Sequence, residues 1–154
     1  MVRLMKLTIR LMCENDLEPL YTLLSNPDIM RFLEPPFSFE QTKHFLNYAG
    51  LSPEPLIYAV DDENDRFTGY VIYHDYDEKS KEIGWVLNPD VWGGGYASEL
   101  TSQLIQKAED ERKNIIIECC PEQNATKAIA KKFGFSYTGT KDGLEIYLKE
   151  RTGT

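Results

Sequence analysis

The sequence lacks most of the features that mark a secreted, metal-binding or membrane-spanning protein. Its 154 residues include three cysteines, Cys13, Cys119 and Cys120, and a disulfide between the adjacent pair would be strained. No second cysteine pair stands at metal-ligand spacing, so we predict free thiols and no metal site. No apolar run has the length of a membrane span, and the amino-terminal residues lack a secretory pattern, which predicts a cytoplasmic protein without a membrane partner.

Positive charge is also scarce in the sequence. Lysine and arginine together number 17 against 25 aspartates and glutamates, which gives a net charge of −8 at pH 7. Proteins that bind nucleic acids present basic patches, so we expect no nucleic-acid partner. The acidic balance mildly favours a cationic substrate, and a solvated acidic surface explains it equally well.

The residues that are present fit one domain spanning 1–154, because 42% of them are hydrophobic and no repeat or linker interrupts them. Alternation and short apolar runs predict strands over residues 7–11, 56–60, 67–73, 82–87, 115–120, 135–140 and 144–149. Helical spacing predicts helices over residues 16–24, 38–49, 97–113 and 125–133, and residues 29–33 would add a short one. This order predicts a mixed α/β (α+β) fold, with a mainly antiparallel sheet of about six to seven strands flanked by about four helices.

Two of these helices begin at residues that favour a helix start. Asp16 is expected to cap the first helix with its carboxylate. Ser38 and Gln41 have the spacing of a capping box, in which each side chain accepts a hydrogen bond from the other residue's backbone N–H.

Three consecutive glycines, 93–95, stand between a predicted strand and the strongest predicted helix. Glycines let the backbone approach a ligand closely, and a helix start offers unpaired amides, so the segment is a candidate phosphate or pyrophosphate site. A flexible surface loop is an equally good explanation of the glycines alone. Tyr96 and Ala97 follow where a Walker loop needs Lys and Ser or Thr, and Ser98 replaces the last glycine of a dinucleotide fingerprint.

The residues on both sides of the glycines help to decide between a ligand site and a flexible surface loop. Residues 92–99 read Trp-Gly-Gly-Gly-Tyr-Ala-Ser-Glu. This resembles the Trp-Gly-x-Gly-Tyr-Ala-Thr/Ser-Glu motif of the GNAT acetyltransferase superfamily, in the branch that includes ribosomal-protein N-terminal acetyltransferases. Residues 7–16, 26–33, 82–85 and 121–135 resemble further segments of that family in the same order, so the resemblance covers nearly the whole chain.

The resemblance implies acetyl-CoA as co-substrate and a set of residues that hold it. Backbone groups of Val86 and Leu87 would contact the thioester arm, loop amides the pyrophosphate, and Gln123 or Asn124 the pantetheine. Lys131, with its neighbours Lys127 and Lys132, would either meet the 3′-phosphate or form a solvated helix face. Gly94 stands where the family often has lysine. The predicted cofactor residues are Val86, Leu87, Trp92, Gly93, Gly94, Gly95, Tyr96, Ala97, Ser98, Gln123, Asn124 and Lys131.

Acetyl transfer to an amine needs a neutral nucleophile, whereas an α-amino group has a pKa near ~8 and a lysine near ~10.4. Glu82, on the strand before the loop, is the candidate base, with a solvated carboxylate at a strand end as the alternative. A tyrosine common in the family is replaced by Ala130. Thr126 is therefore the candidate acid, with helix capping as an equally good explanation, and Tyr137 and Cys119 are further candidates.

The predicted activity is transfer of the acetyl group of acetyl-CoA to a primary amine, by direct attack in a ternary complex. A protein amino terminus, an amino acid, a polyamine or an aminoglycoside-like compound would each serve as acceptor, in a pocket bordered by Phe32 and Glu34. The alternatives are a CoA-binding module without efficient turnover and an α/β module whose glycine loop is structural only. His44 and His74 are expected to be surface residues. An exposed edge strand or the closing hairpin would support a homodimer.

Overall fold

The computed structural model describes residues 5–153, so residues 1–4 and 154 of the predicted domain lie outside the described residues. Within this range the strands are β1 (Thr8–Arg10), β2 (Ile57–Asp61), β3 (Phe67–Asp75), β4 (Ser80–Leu87), β5 (Asn114–Cys119), β6 (Ser136–Lys141) and β7 (Leu144–Lys149). The α-helices are α1 (Leu17–Leu24), α2 (Pro27–Met30), α3 (Phe39–Phe45), α4 (Tyr96–Asp110) and α5 (Asn124–Lys132). None of these helices combines the length and the apolar character that crossing a membrane requires.

The strands form one seven-stranded sheet in the order β1-β2-β3-β4-β5-β7-β6. All neighbouring strands are antiparallel except β4 and β5, which are parallel. The predicted mixed, mainly antiparallel fold is confirmed, and the short α2 brings the number of helices to five. β1 and β6 are the two edges of the sheet, and the homodimer through such an edge stays a prediction.

Each face of the sheet covers a separate apolar core, because alternate strand residues point to opposite sides. One core lies against α4 and α5 and includes Ile83, Leu87 and Leu104. The other lies against α1, α2 and α3 and includes Leu20 and Val86. β4 therefore sends residues to both cores, and its even-numbered residues face the α1–α3 side.

The parallel pair β4 and β5 is joined over only part of its length. The paired positions end at Glu82 and Ile116. β4 continues to Leu87 and β5 to Cys119 without further pairs between them, so the two strands diverge. The divergence leaves an opening in the middle of the sheet, and the helices that follow these two strands begin at its rim.

One predicted helix cap is confirmed and the other is wrong. In the capping box of α3, Gln41 N–H donates to Ser38 Oγ (3.1 Å) and Ser38 N–H donates to Gln41 Oε1 (2.8 Å). Asp16 precedes α1, yet its side chain makes no cap bond to that helix. Instead the carboxylate accepts from Arg10 at 2.9 Å and from the Cys13 N–H at 2.8 Å. An ion pair with Arg10, six residues earlier in the chain, uses the carboxylate that the spacing assigned to a cap.

Candidate active site

A cavity of about 670 Å³ lies where β4 and β5 diverge. Its walls come from α2 and the residues after it, the end of β4, the loop into α4 and the first turns of α5. The lining residues are Asp28, Ile29, Phe32, Leu33, Trp85, Val86, Leu87, Val91, Trp92, Gly93, Gly95, Tyr96, Ala97, Ser98, Glu122, Gln123, Asn124, Ala125, Thr126 and Ile129. Ten of the twelve predicted cofactor residues are among them, and Gly94 and Lys131 are the two that do not line the cavity.

The backbone of the glycine loop needs glycine at two positions. Gly93 has φ of 75° and Gly95 has φ of 87°, in the left-handed region that side chains other than glycine disfavour. A Cβ on Gly93 would meet nothing within 4 Å, so the dihedral angle alone explains glycine there. Gly94 N–H donates to the Val91 carbonyl (3.3 Å), which closes the turn between them. The loop is thus a defined turn that presents bare backbone to the cavity.

The first turn of α4 faces the cavity without a capping side chain. Gly95 is its N-cap and has no side chain to offer. The first intrahelical bond in the turn runs from Glu99 N–H to Gly95 O (3.1 Å), so the amides of Tyr96, Ala97 and Ser98 have no carbonyl partner in the helix. α4 is 15 residues long and directs the positive end of its dipole to the same place. This end of the helix has the properties of an anion site.

Trp92 fixes the loop to the strand before it. Its side chain is 53% exposed, yet its indole Nε1–H donates to the Leu87 carbonyl at 2.9 Å. The bond occupies the last carbonyl of β4 and sets how far the glycines stand from the strand. The ring thereby forms part of the cavity wall.

The turn into α5 supplies the opposite wall. Gln123 Oε1 accepts from the Cys120 N–H (2.8 Å), which leaves the NH₂ of the same amide as its remaining donor. Asn124 begins α5 and also lines the cavity. Thr126 is the third residue of α5, whose N-cap is Gln123, so helix capping does not explain the threonine. Its position on the cavity wall keeps it a candidate for chemistry.

Comparison with known proteins decides the family. Residues 6–136 match the acetyltransferase (GNAT) domain. The chain belongs to the GNAT acetyltransferase family. It is 31% identical over 139 residues to the uncharacterized N-acetyltransferase YnaD of Bacillus subtilis, covering 87% of this chain and 81% of that protein.

Solved structures agree with this assignment. The GNAT-family acetyltransferase from Bacillus anthracis superposes with a TM-score of 0.79 at 26% identity, covering 92% of each chain. The spermidine N-acetyltransferase from Vibrio cholerae, solved with CoA and spermine, gives a TM-score of 0.76 over 92% of each chain. Its identity of 20% is a likeness of fold alone. The branch of ribosomal-protein N-terminal acetyltransferases stays a prediction.

In this GNAT domain Glu82 lies at the last paired position of β4 and β5, outside the cavity lining. It is half-buried on the face of β4 that also carries Gly84 and Val86. Burial raises the pKa of Glu82, Glu118 raises it further, and His74 opposes the shift. A carboxylate with a raised pKa is a stronger base near neutral pH, so the environment suits the role predicted for it.

Two neighbours of Glu82 were missed or misjudged from the sequence. His74 was expected at the surface, but it is half-buried directly opposite Glu82 in the β3–β4 register. Glu118 lies on β5, two residues beyond Ile116, the partner of Glu82. Burial and a hydrogen bond to Glu118 raise the pKa of Tyr76. Strand alternation could have placed each residue on a face, but only the register shows that they meet.

The candidates for the acid separate clearly in the GNAT fold. Thr126 lines the cavity, whereas Tyr137 lies on the edge strand β6 with its hydroxyl 2.7 Å from Thr140 Oγ1. Cys119 is buried outside the cavity lining, and burial raises the pKa of its thiol to about 11. Thr126 is therefore the candidate that the fold brings to the cavity.

The apolar part of the wall also escaped sequence analysis. Ile29, Val91 and Ile129 line the cavity from three different segments, and none of them was predicted as a site residue. Across the cavity, the Cys120 thiol donates to the Phe32 carbonyl (3.2 Å). This contact holds the residues after α2 against the end of β5 and closes one side of the cavity.

Proposed function

We propose that this GNAT domain transfers the acetyl group of acetyl-CoA to a primary amine, by direct attack of the amine on the thioester in a ternary complex. The observation that carries the proposal is the cavity itself. It joins the uncapped start of α4 to the open side of β4 at the point where β5 diverges. An anion site and an unpaired strand edge next to it match the two parts of CoA, its phosphates and its amide-containing arm.

The open side of β4 supports the placement of the arm. Val86 and Leu87 pair with Tyr70 and Gly69 of β3 on one side, and the other side faces the cavity. Apart from the Leu87 carbonyl, which accepts from the Trp92 indole, backbone groups there are available to hold an extended amide chain as a neighbouring strand would. We place the thioester carbonyl near the amides of this segment, which would stabilise the oxyanion.

Glu82 is proposed as the base that takes the proton lost by the amine. Val86 lies four residues further along β4, a separation of about 13 Å at roughly 3.3 Å per residue. Direct contact between Glu82 and an amine at the thioester is therefore not expected, and the proton would travel through water. His74 and Glu118 would tune the carboxylate for that task.

Thr126 is proposed as the group that donates a proton to the leaving sulfur. As the amine nitrogen bonds to the carbonyl carbon, the carbon–sulfur bond breaks and the thiolate takes up a proton. Thr126 lines the cavity, and its hydroxyl is the proposed donor.

The charges around the cavity support an amine acceptor. Asp28 and Glu122 line it, and no Lys, Arg or His is among its lining residues within 5–153. A carboxylate on the cavity wall stabilises an approaching ammonium ion. The Vibrio cholerae relative, whose structure contains spermine, is named for such a reaction.

A second candidate function is a CoA-binding module without efficient turnover. The family's tyrosine position is Ala130, which is fully buried and offers no hydroxyl. Calorimetry with acetyl-CoA, followed by CoA-thiol release with a panel of amines, separates the two candidates. Binding with amine-dependent thiol release supports transfer, binding without release supports the module, and no binding at millimolar acetyl-CoA contradicts both. The exposed Cys13 must be replaced or subtracted in a thiol-reactive assay.

A further inference from the structure

Tyr70 is a core tyrosine whose hydroxyl has no partner in the fold. Only 4% of the residue is exposed, and its ring packs against Phe45 with the ring centroids 6.0 Å apart. Among residues 5–153 nothing forms a hydrogen bond with the hydroxyl. Tyr73, which is buried as deeply on the same strand, instead donates its hydroxyl to Glu111. A phenylalanine would fill the space of Tyr70 without an unpaired polar group, so the hydroxyl is available to a partner from outside the chain.

The Tyr70 hydroxyl opens onto a space that solvent reaches. In the described part of the chain, every side-chain nitrogen or oxygen of a buried or half-buried residue that is sealed from solvent has a hydrogen-bond partner. The Tyr70 hydroxyl has none and is therefore not sealed, although almost all of the residue is buried. A polar group of a small ligand can approach the oxygen from that space.

Glu34 places a negative charge near this hydroxyl. Burial raises the pKa of Tyr70, and the Glu34 carboxylate and Tyr48 raise it further. Glu34 is exposed and forms no ion pair in the described part of the chain, because Arg31, three residues earlier, lies over the Phe32 ring at 5.0 Å instead. Carboxylate and phenol oxygens accept hydrogen bonds, and the carboxylate adds charge, so together they suit an ammonium group.

The hydroxyl and the carboxylate lie beside the cavity and not in its wall. Tyr70 is directly opposite Val86 in the β3–β4 register, where Cα atoms are about 5 Å apart, and Glu34 follows Leu33 in the chain. Val86 and Leu33 line the cavity, whereas Tyr70 and Glu34 do not. An amine that attacks a thioester placed near Val86 would therefore bring a second group of the same molecule to this pair.

We propose that Tyr70 and Glu34 select acceptors that carry a second ammonium group in addition to the amine that attacks the thioester. This rests on the function proposed above and names the acceptor class as diamines. An alkylammonium has a pKa near ~10.4, as in lysine, so the second group stays charged near neutral pH. It donates to the Tyr70 oxygen and to the Glu34 carboxylate. The reactive amine is thereby held at a fixed distance from the pair, next to Val86.

Acetyl transfer to amines of matched length tests the acceptor class. The probes are α,ω-diaminoalkanes, the n-alkylamines with the same number of carbons and the corresponding amino alcohols. The wild type should have a kcat/KM for the best diamine about tenfold or more above that for the matching alkylamine, the size of a hydrogen bond to a charged group. The amino alcohol should lie near the alkylamine, because it has no charge. Equal kcat/KM for amino alcohol and diamine would overturn the assignment to an ammonium group.

Tyr70→Phe keeps the ring and removes the hydroxyl. The diamine-to-alkylamine ratio of kcat/KM should fall about 5- to 10-fold, through the KM of the diamine, while the Kd of acetyl-CoA in calorimetry stays that of the wild type. Glu34→Gln should lower the ratio by a smaller factor, because Glu34 is exposed, and this loss should shrink as salt is added.

Tyr73→Phe is the matched control. It removes the hydroxyl of an equally buried tyrosine on the same strand, but on the opposite face of the sheet, so its diamine-to-alkylamine ratio should match the wild type. A melting curve shows that each variant is folded. An equal fall of the ratio in Tyr73→Phe and Tyr70→Phe would reduce the effect to the loss of a buried hydroxyl and contradict the proposal.

The remaining outcomes separate this inference from the proposed function. A wild-type ratio near one, or an unchanged ratio in Tyr70→Phe, would contradict the inference and leave acetyl transfer to a primary amine standing. Binding of acetyl-CoA without thiol release for any amine of the panel would contradict the proposed function, and the inference with it.

Discussion

His74 and Glu82 face each other across β3 and β4, at the position where β4 also makes its last pair with β5. The Nδ1 atom of the His74 ring lies 3.0 Å from the Asp75 carbonyl oxygen, within hydrogen-bond distance. The groups that face Glu82 are His74 from β3, Tyr76 from the following turn and Glu118 from β5. A carboxylate so surrounded is sensitive to each neighbour, which makes its role open to direct tests.

Replacing Glu82 by Gln should lower the rate of acetyl transfer about 10- to 100-fold at neutral pH, because the water-mediated base is lost. The loss should become smaller at high pH, where the amine is already neutral. A pH profile of kcat/KM measures this, with the exposed Glu150→Gln as control. A uniform loss across the pH range would remove Glu82 as the base.

Replacing His74 and replacing Glu118 should move the acidic limb of the pH profile of kcat/KM in opposite directions. His74 lowers the pKa of Glu82, so His74→Gln should raise it and shift the limb to higher pH. Glu118 raises the pKa of Glu82, so Glu118→Gln should shift the limb to lower pH. Shifts in the same direction for both variants would contradict the arrangement.

Thr126→Val should separate chemistry from binding. The variant keeps the shape of the side chain and loses the hydroxyl, so kcat should fall about tenfold or more, the range of acid catalysis, with little change in the Kd of acetyl-CoA. Thr126→Ser should retain most of the rate. Equal losses of kcat in Thr126→Val and Thr126→Ser, or no loss in Thr126→Val, would show that the hydroxyl does not donate a proton to the leaving sulfur.

Gly95→Ala should distort the anion site. At φ of 87° an alanine is strained by about 1–2 kcal/mol, and the melting temperature should fall by a few degrees. The Kd of acetyl-CoA should rise with it. Gly94→Ala is the control, because Gly94 does not have a positive φ and its added Cβ would only crowd the Val91 carbonyl at 3.3 Å. Equal effects at both positions would argue against the left-handed turn.

Asp16→Asn should destabilise the fold by roughly 1.5–3 kcal/mol in urea unfolding at pH 7, because it removes a charged partner of Arg10 from a partly buried ion pair. Burial of Asp16 opposes ionisation, but the bonds from Arg10 and Cys13 outweigh it and hold its pKa below the usual value. The stability gained is therefore present above about pH 4, the unfolded pKa, and lost as the pH falls below it.

The exposed pair Arg66–Asp90 has the same 2.9 Å separation as Arg10–Asp16 and serves as the control for that variant. Asp90→Asn should lower the free energy of unfolding much less than Asp16→Asn, because solvent and salt screen an exposed ion pair. If Asp16→Asn and Asp90→Asn lowered the free energy of unfolding equally, burial would not be the reason for the stability of the Arg10–Asp16 pair.

The sequence predicted the parts of the site that are local in the chain. The turn at 92–98, the end of β4 and the start of α5 are each a short segment, and the cavity includes ten of the twelve predicted residues. These segments could be predicted without knowing which distant residues are in contact, because strand, turn and helix start follow one another directly in the chain.

The parts that depend on distant contacts were not predictable in the same way. Asp16 has the spacing of a cap, and only the position of Arg10 and Asp61 on neighbouring strands explains why it pairs instead. The hydrogen bond of Lys132 to Ser98 depends on how α5 packs beside α4, which helical spacing does not encode. The same is true of His74, whose importance follows from a strand register.

The divergence of β4 and β5 leaves one side of the end of β4 without a neighbouring strand. A cofactor arm lying along β4 would act as an additional strand segment and join the two halves that β4 and β5 hold together only as far as Glu82 and Ile116. Folding and cofactor supply are then linked: at 100 times the Kd a ligand adds about 2.7 kcal/mol to stability. Under the proposed function, the free energy of unfolding of the domain would thus rise with the concentration of CoA.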